Sequence, residues 1–316
     1  MKVRSLVNLG WLVLVNILWA SQFPAYRLAA DSMSVSALSF YTFVVAIVVL
    51  CPFLIHERRR GSATTALPAR SAYSLAGSFL LLGVLGLLPP SILMSWGIEH
   101  SSGSNAAILT LTIPILMVAV AVPLLGERFT WLRVVTLLLA LLGAACISRN
   151  ELAGGSFHSS TLVGNAAIVA ACAGSAFYNV YSRKLLLRYT GLEVLIYGYA
   201  VAAILCAGAS IYLDERPFYD MTAFPPAAWA AVFVLGSLTW GISMVLFMWL
   251  LKFVDIAQIS VSIYLLSFFG VLLSAATLGE RIQAVQIVGA LVVIAAALLS
   301  DSYERRAARP TGAAST

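Results

Sequence analysis

Asn16, Trp19, Gln22, Phe23 and Tyr26 recur every three or four residues along an otherwise apolar stretch. In a helix that spacing puts them on one face. Such a face offers two amides and three aromatic rings, which can hydrogen-bond the polar end of a small solute and stack on its apolar part. None of these groups is a ready nucleophile or a proton carrier near neutral pH. Ser175, Tyr178, Asn179 and Ser182 repeat the pattern further along, and Ser260, Tyr264 and Ser267 do so again. Trp240, Ser243, Met244 and Phe247 form another stripe, and Pro89, Pro90, Ser91, Trp96, Thr110 and Pro114 mark two more runs.

The surroundings decide what these groups mean. The chain is 61% apolar and 10% charged, with a mean hydropathy of +0.96, the composition of an integral membrane protein. Crossing a bilayer of about 30 Å takes roughly 20 residues at 1.5 Å each. Ten runs qualify, at 8–29, 36–55, 73–96, 104–125, 129–148, 162–182, 191–213, 227–251, 256–278 and 282–300. At mid-depth an amide or hydroxyl bonds its own helix, glues a neighbouring helix, or faces a water-filled cavity. Serines and threonines favour the first two, whereas Asn16, Gln22 and Asn179 suit either helix pairing or solute contact. Tyr26, Trp96, Trp131, Tyr189, Trp229 and Trp249 fall near span ends and fit an interfacial belt. Trp19 and Trp240 lie too deep for that.

Leu-Gly-Glu-Arg occurs at 125–128 and again at 278–281, and the 153-residue shift also pairs Gly83 with Gly236 and Trp96 with Trp249. The chain therefore reads as a duplication. Five spans per half is an odd number, so the second copy enters the membrane from the opposite side. The expected architecture is an all-α membrane protein of ten transmembrane helices, two inverted five-helix repeats around a central cavity. Its expected parts are a first repeat over 1–148, an extracytoplasmic linker over 149–161, a second repeat over 162–301 and a polar cytoplasmic tail over 302–316. With both termini cytoplasmic, 15 of the 19 lysines and arginines, Arg183 and Lys184 among them, fall on the inner side, as cytoplasmic loops require. That distribution accounts for the net charge of +6 without a nucleic-acid partner. The expected partners are a small-molecule substrate and the lipid bilayer, with one copy of the chain sufficient because both halves of a pathway are in it. The prolines cluster in the first half, which predicts a kinked half working against a straighter one.

No metal or cofactor site is expected. Cys51, Cys146, Cys172 and Cys206 show no ligand spacing and read as small packers. His56, His100 and His158 lie at span ends on both sides, which argues against an intramembrane enzyme. No charge is placed at mid-span, where one costs about 2.5–3.5 kcal/mol. Without a buried carboxylate, proton exchange lacks a carrier, and without a basic pocket phosphorylated sugars lack a partner. The Glu127-Arg128 and Glu280-Arg281 pairs are read as helix-end anchors.

Leu18 to Ala25 resembles the opening signature of the drug/metabolite transporter superfamily, in its ten-helix EamA-type branch. Ser95-Trp96-Gly97 through Pro114, Leu125-Gly126-Glu127-Arg128-Phe129-Thr130 and Gly143 resembles the end of one EamA repeat, and Trp249, Ala257, Leu278-Gly279-Glu280-Arg281, Gln286 and Gly289 match the second. Two departures stand out: Phe40-Tyr41-Thr42 occupies a place where relatives often carry an arginine, and Ser267 replaces the proline equivalent to Pro114. The resemblance implies an inner-membrane exporter working by alternating access, most like the exporters of aromatic and other neutral amino acids. Methionine and threonine are further expected cargo, and transport is expected to be facilitative. The alternative is export of other drugs or metabolites in the same fold, with proton coupling. The expected substrate contacts are Asn16, Trp19, Gln22, Phe23, Ser175, Tyr178, Asn179, Trp240, Ser243, Met244, Tyr264 and Ser267. A secreted-phosphatase reporter inserted within 149–161 should be active and one fused to the C-terminus inactive; the reverse pattern would overturn the orientation.

Overall fold

The structure is a computed structural model. It describes residues 2–59, 72–125, 160–213, 221–250 and 256–280, with scattered positions of 131–142 and 284–295. Every regular element among them is helical. Six helices are long and apolar enough to cross a membrane: Val35–Arg59, Ala76–His100, Gly103–Ala121, Ser160–Leu186, Gly191–Tyr212 and Pro226–Leu250. Large apolar side chains point outward, with Ile204 71% exposed and Phe233 and Phe268 each 63%. In water such a surface would aggregate, whereas lipid solvates it. Most of the predicted spans 129–148 and 282–300, and Cys146, lie outside the described residues; Cys51, Cys172 and Cys206 are free thiols.

The first span is two helices, α1 (Lys2–Ala20) and α2 (Gln22–Ala30). They part at Ser21 because Pro24 has no N–H for the Ala20 carbonyl. Beyond its neighbour α1, α2 is wedged among five other helical segments. That burial leaves Tyr26 only 1% exposed, so it is a core residue and not the belt tyrosine its position near a span end suggested. The chain continues through α3 (Val35–Arg59), which carries Pro52 without breaking, and α4 (Ala72–Leu81). After α4 come π-helical turns at Leu82–Leu87 and Pro89–Leu93, then α5 (Met94–His100), α6 (Gly103–Leu109), a 3₁₀ turn at Thr110–Thr112 and α7 (Ile113–Leu125).

In the second half, α8 is Ser160–Leu186 and α9 is Gly191–Leu213. α9 starts with a capping box in which the Thr190 N–H donates to Glu193 Oε2 at 3.0 Å and the Glu193 N–H to Thr190 Oγ1 at 3.3 Å. α10 (Pro226–Phe233) runs into a π-helical stretch at Val234–Ile242, then α11 (Ser243–Leu250) and α12 (Ile256–Leu278). The second half, expected to be the straighter one, thus also departs from α-helical geometry, though at one stretch against several in the first half. The π stretch falls at the repeat equivalent of the turns after α4, yet holds no proline. Gly236 lies too close to the Thr42 carbonyl for a side chain, since an added Cβ would meet that oxygen at 2.8 Å.

Packing follows the duplication. α1 packs on α12 as α8 packs on α7, α1 on α11 as α8 on α5, and α3 on α9. Small residues allow close approach: a Cβ on Gly97 would come within 2.8 Å of the Gly164 carbonyl, and one on Gly174 within 2.6 Å of Pro89. At the same end as the Gly97–Gly164 contact, Glu280 does more than anchor its own helix. Its carboxylate accepts from the backbone N–H groups of Gly103 at 3.0 Å and Ser104 at 2.7 Å, so a residue of the second half caps α6 of the first. Nearby, Arg27 donates to the Glu99 carbonyl at 2.9 Å, and Ser101 and Asn105 both donate to Asn165 Oδ1. Glu280→Ala should cost about 1–2 kcal/mol as a lost cap, read as a lower unfolding temperature of the purified protein; an unchanged value would deny the cap any structural weight.

Candidate substrate cavity

A cavity of about 110 Å³ opens between the two halves, where the first span breaks and the π stretches bend. Trp19 and Gln22 reach it from either side of the Ser21 break, and Ser175, Tyr178 and Asn179 from one face of α8. Thr239, Trp240, Met244 and Phe247 come from the second-half π stretch and α11, with Met94, Thr110 and Met117 opposite. The break brings its own polar partners: Ser21 Oγ donates to the Leu18 carbonyl at 2.6 Å and lies 3.2 Å from Thr239 Oγ1. The aromatic wall is formed by Trp19 and Phe247, edge to face at 4.8 Å. Trp240 is held behind it by Phe43 at 5.4 Å and by the Tyr199 hydroxyl, which donates to the Trp240 carbonyl at 2.9 Å.

The lining inherits the duplication. Gln22 and Ser175, Gly86 and Thr239, Met94 and Phe247, Thr110 and Ile263, and Ile113 and Leu266 are each related by the 153-residue shift, and all line the cavity.

Seven of the twelve residues singled out from sequence meet here: Trp19, Gln22, Ser175, Tyr178, Asn179, Trp240 and Met244. Four lie apart from the lining. Asn16 is fully buried, with its Nδ2 donating to the Leu12 carbonyl at 2.7 Å. Phe23 packs where a Cβ on Gly270 would meet its ring at 2.5 Å. Ser243 donates to the Thr239 carbonyl, and Ser267 lies 3.0 Å from the Thr110 hydroxyl. Helical spacing gave these residues a common stripe, but Asn16 and Ser243 bond their own helices and Phe23 and Ser267 meet neighbouring ones, which spacing alone does not distinguish from facing the cavity. The twelfth, Tyr264, belongs to α12, with its side chain outside the described residues.

Two kinds of residue were missed. Met94, Met117 and Thr239 carry no spacing signal that separates them from core. Arg183 does: it continues the Ser175–Asn179 spacing, but the predicted span ended at 182 and left it in a loop. α8 runs on to Leu186, since nothing in the sequence breaks it and basic residues suit a helix C-terminus.

A cavity lined by residues of both halves, in a duplicated helical chain with an apolar exterior, fits a membrane transporter for small molecules. The chain belongs to the EamA-like transporter family, which it matches over residues 7–149 and 162–300. It is 30% identical over 294 residues, 91% of each chain, to a protein of Streptantibioticus cattleyicolor named "probable terminal-alkyne amino-acid exporter". It is also similar to an uncharacterised transporter of Archaeoglobus fulgidus, at 23% identity over 93% of this chain and 97% of that one. A solved structure titled only "Crystal structure of protein" shares the fold, with a TM-score of 0.63 at 19% identity over 95% of this chain and 98% of that one. Alanine at Trp19 or Gln22 should cut transport several-fold without loss of membrane insertion, whereas alanine at Ser267 should leave the half-saturation concentration unchanged; equal effects at both would dissolve the distinction between lining and packing.

Proposed function

We propose that the protein exports amino acids with aromatic or other apolar side chains, methionine and threonine included, across the inner membrane by alternating access of two inverted five-helix repeats. The observation that carries this reading is the cavity itself. Its wall of Trp19, Trp240 and Phe247 with three methionines suits an apolar side chain, and the amides of Gln22 and Asn179 suit the polar end of a zwitterion. The relative named a "probable terminal-alkyne amino-acid exporter" supports amino acids as the substrate class. The five shift-related pairs in the lining support a cavity on a pseudo-twofold axis, as inverted repeats require.

Helix direction supports the ten-span arrangement. Arg27, Glu99, Gly103, Asn165 and Glu280 share one end of the bundle through their hydrogen bonds and packing. α6 and α8 therefore both start there, and α7 leads away from it. The expected spans 129–148 and 282–300 would supply the two crossings this direction calls for, one after α7 and one after Glu280, and would return both termini to the end opposite Glu280, the one expected to be cytoplasmic. No carboxylate is among the described lining residues, which supports transport driven by the solute's own gradient.

Liposomes holding the purified protein should take up labelled phenylalanine, tryptophan, methionine or threonine saturably without a proton gradient. Uptake that requires the gradient would overturn the facilitative mechanism, and no uptake of any of the four would overturn the substrate class.

A further inference from the structure

Where α5 turns into α6, the hydrogen bonds join one half of the chain to the other. Glu280 Oε1 takes the Gly103 N–H at 3.0 Å and Oε2 the Ser104 N–H at 2.7 Å, from 177 and 176 residues away. Ser101 Oγ donates to Asn165 Oδ1 at 2.5 Å, and Asn105 Nδ2 donates to the same oxygen at 3.4 Å. Close contacts follow the same division: a Cβ on Gly103 would meet Ser274 Oγ at 2.7 Å, and one on Gly164 would meet His100 Cβ at 3.1 Å. Residues 100–105 of the first half are thus clasped by the start of α8 and the end of α12, both of the second. Each of the three helices that meet here also runs on to the cavity, α6 leading to Thr110, α8 to Ser175 and α12 to Leu266. Parting the α5–α6 turn from the other two therefore opens the cavity toward this end.

Two observations mark the contact as one that can part. α9 caps itself with Thr190 and Glu193, three residues apart. α6 has Ser102 for the Asn105 N–H and borrows the acceptors for the two before it from the other half. The Ser104 and Ser274 hydroxyls are also buried here without a hydrogen-bond partner among the described residues. A buried hydroxyl without a partner is costly and water relieves it, so separating the surfaces hydrates both and offsets part of what the broken bonds lose. We infer that Glu280 is the latch of this end: its carboxylate holds the α5–α6 turn on the second half while the cavity is closed there, and lets go when the cavity opens there. The inference rests on the alternating-access reading and on no particular solute. A latch stabilises one of two states, so its loss shifts the population toward the other. A carboxylate suits the task because both oxygens accept charge-assisted bonds from N–H groups at a helix start, whereas an amide offers one uncharged acceptor oxygen.

The experiment uses a membrane-impermeant thiol reagent on a chain whose own four cysteines are replaced by alanine. Ser175→Cys is the single reporter in the cavity, and right-side-out and inside-out vesicles are treated separately. Glu280→Ala should raise the labelling rate about fivefold or more from the side where Glu280 lies, and not from the other, with Glu280→Gln in between. Looser packing of the whole bundle would raise both rates together, so an equal rise overturns the latch, as does no rise. Ser274→Cys, at a position fully buried in the closed contact, tests the same point with Glu280 intact, should the Glu280 variants fail to fold. It should react with reagent from that side, and no reaction in a protein that carries phenylalanine saturably overturns the latch while the proposed function stands. A Ser175→Cys reporter reached from one side alone in every variant, in a protein that carries none of the four amino acids, overturns alternating access and this inference with it.

Discussion

A bilayer interior has no water to satisfy a peptide group, and that constraint governs where this chain can open a cavity. An unbroken helix satisfies its own backbone but presents a closed surface; a broken one makes room and strands polar atoms. The chain breaks or bends its helices at Ser21, along Leu82–Leu93 and along Val234–Ile242, and at each place a hydroxyl meets the disturbed backbone. Ser21 donates to Leu18, Ser91 to the carbonyls of Leu87 and Leu88, Ser237 to Phe233 and Ser243 to Thr239. These hydroxyls allow the cavity without lining most of it.

The ends of the bundle obey the same rule. α6 starts inside the packed structure, where its first N–H groups need acceptors. Ser102 Oγ takes the Asn105 N–H at 3.0 Å, and Glu280, brought in from the other half, takes the two before it. A carboxylate at a helix start also meets the favourable end of the dipole. One residue therefore ties the halves together at the end where Gly97 and Gly164 already press the helices close. The cavity lies beyond that closure, with Arg183 toward the other end, and this gives a nearly symmetric framework an unsymmetric interior.

Much of this was legible in the residues themselves. Among the described residues, apolar runs of membrane-crossing length located the helices to within a few residues, because burial of a backbone in lipid leaves the chain little choice. The Leu-Gly-Glu-Arg repeat exposed the duplication, and mid-depth Trp19, Gln22, Asn179 and Trp240 drew attention because large polar or amphipathic side chains rarely sit in apolar runs without a partner. The sequence by itself thus determined the class of fold, its duplication and the chemical character of the interior, since each follows from composition and local spacing.

Tertiary structure decided which members of each stripe reach the cavity. Asn16 and Trp19 share a helical face, yet the first bonds its own helix and the second lines the site, because a side chain's use depends on the helix it meets. The π stretch around Trp240 has no proline and coincides with the close approach of α3 to Gly236, a contact between residues far apart in the chain. Arg183 entered the site only because α8 runs a turn further than its apolar run, and Glu280 became a cap because folding brought it to Gly103. Local spacing carries no record of such meetings; they exist once the helices are packed.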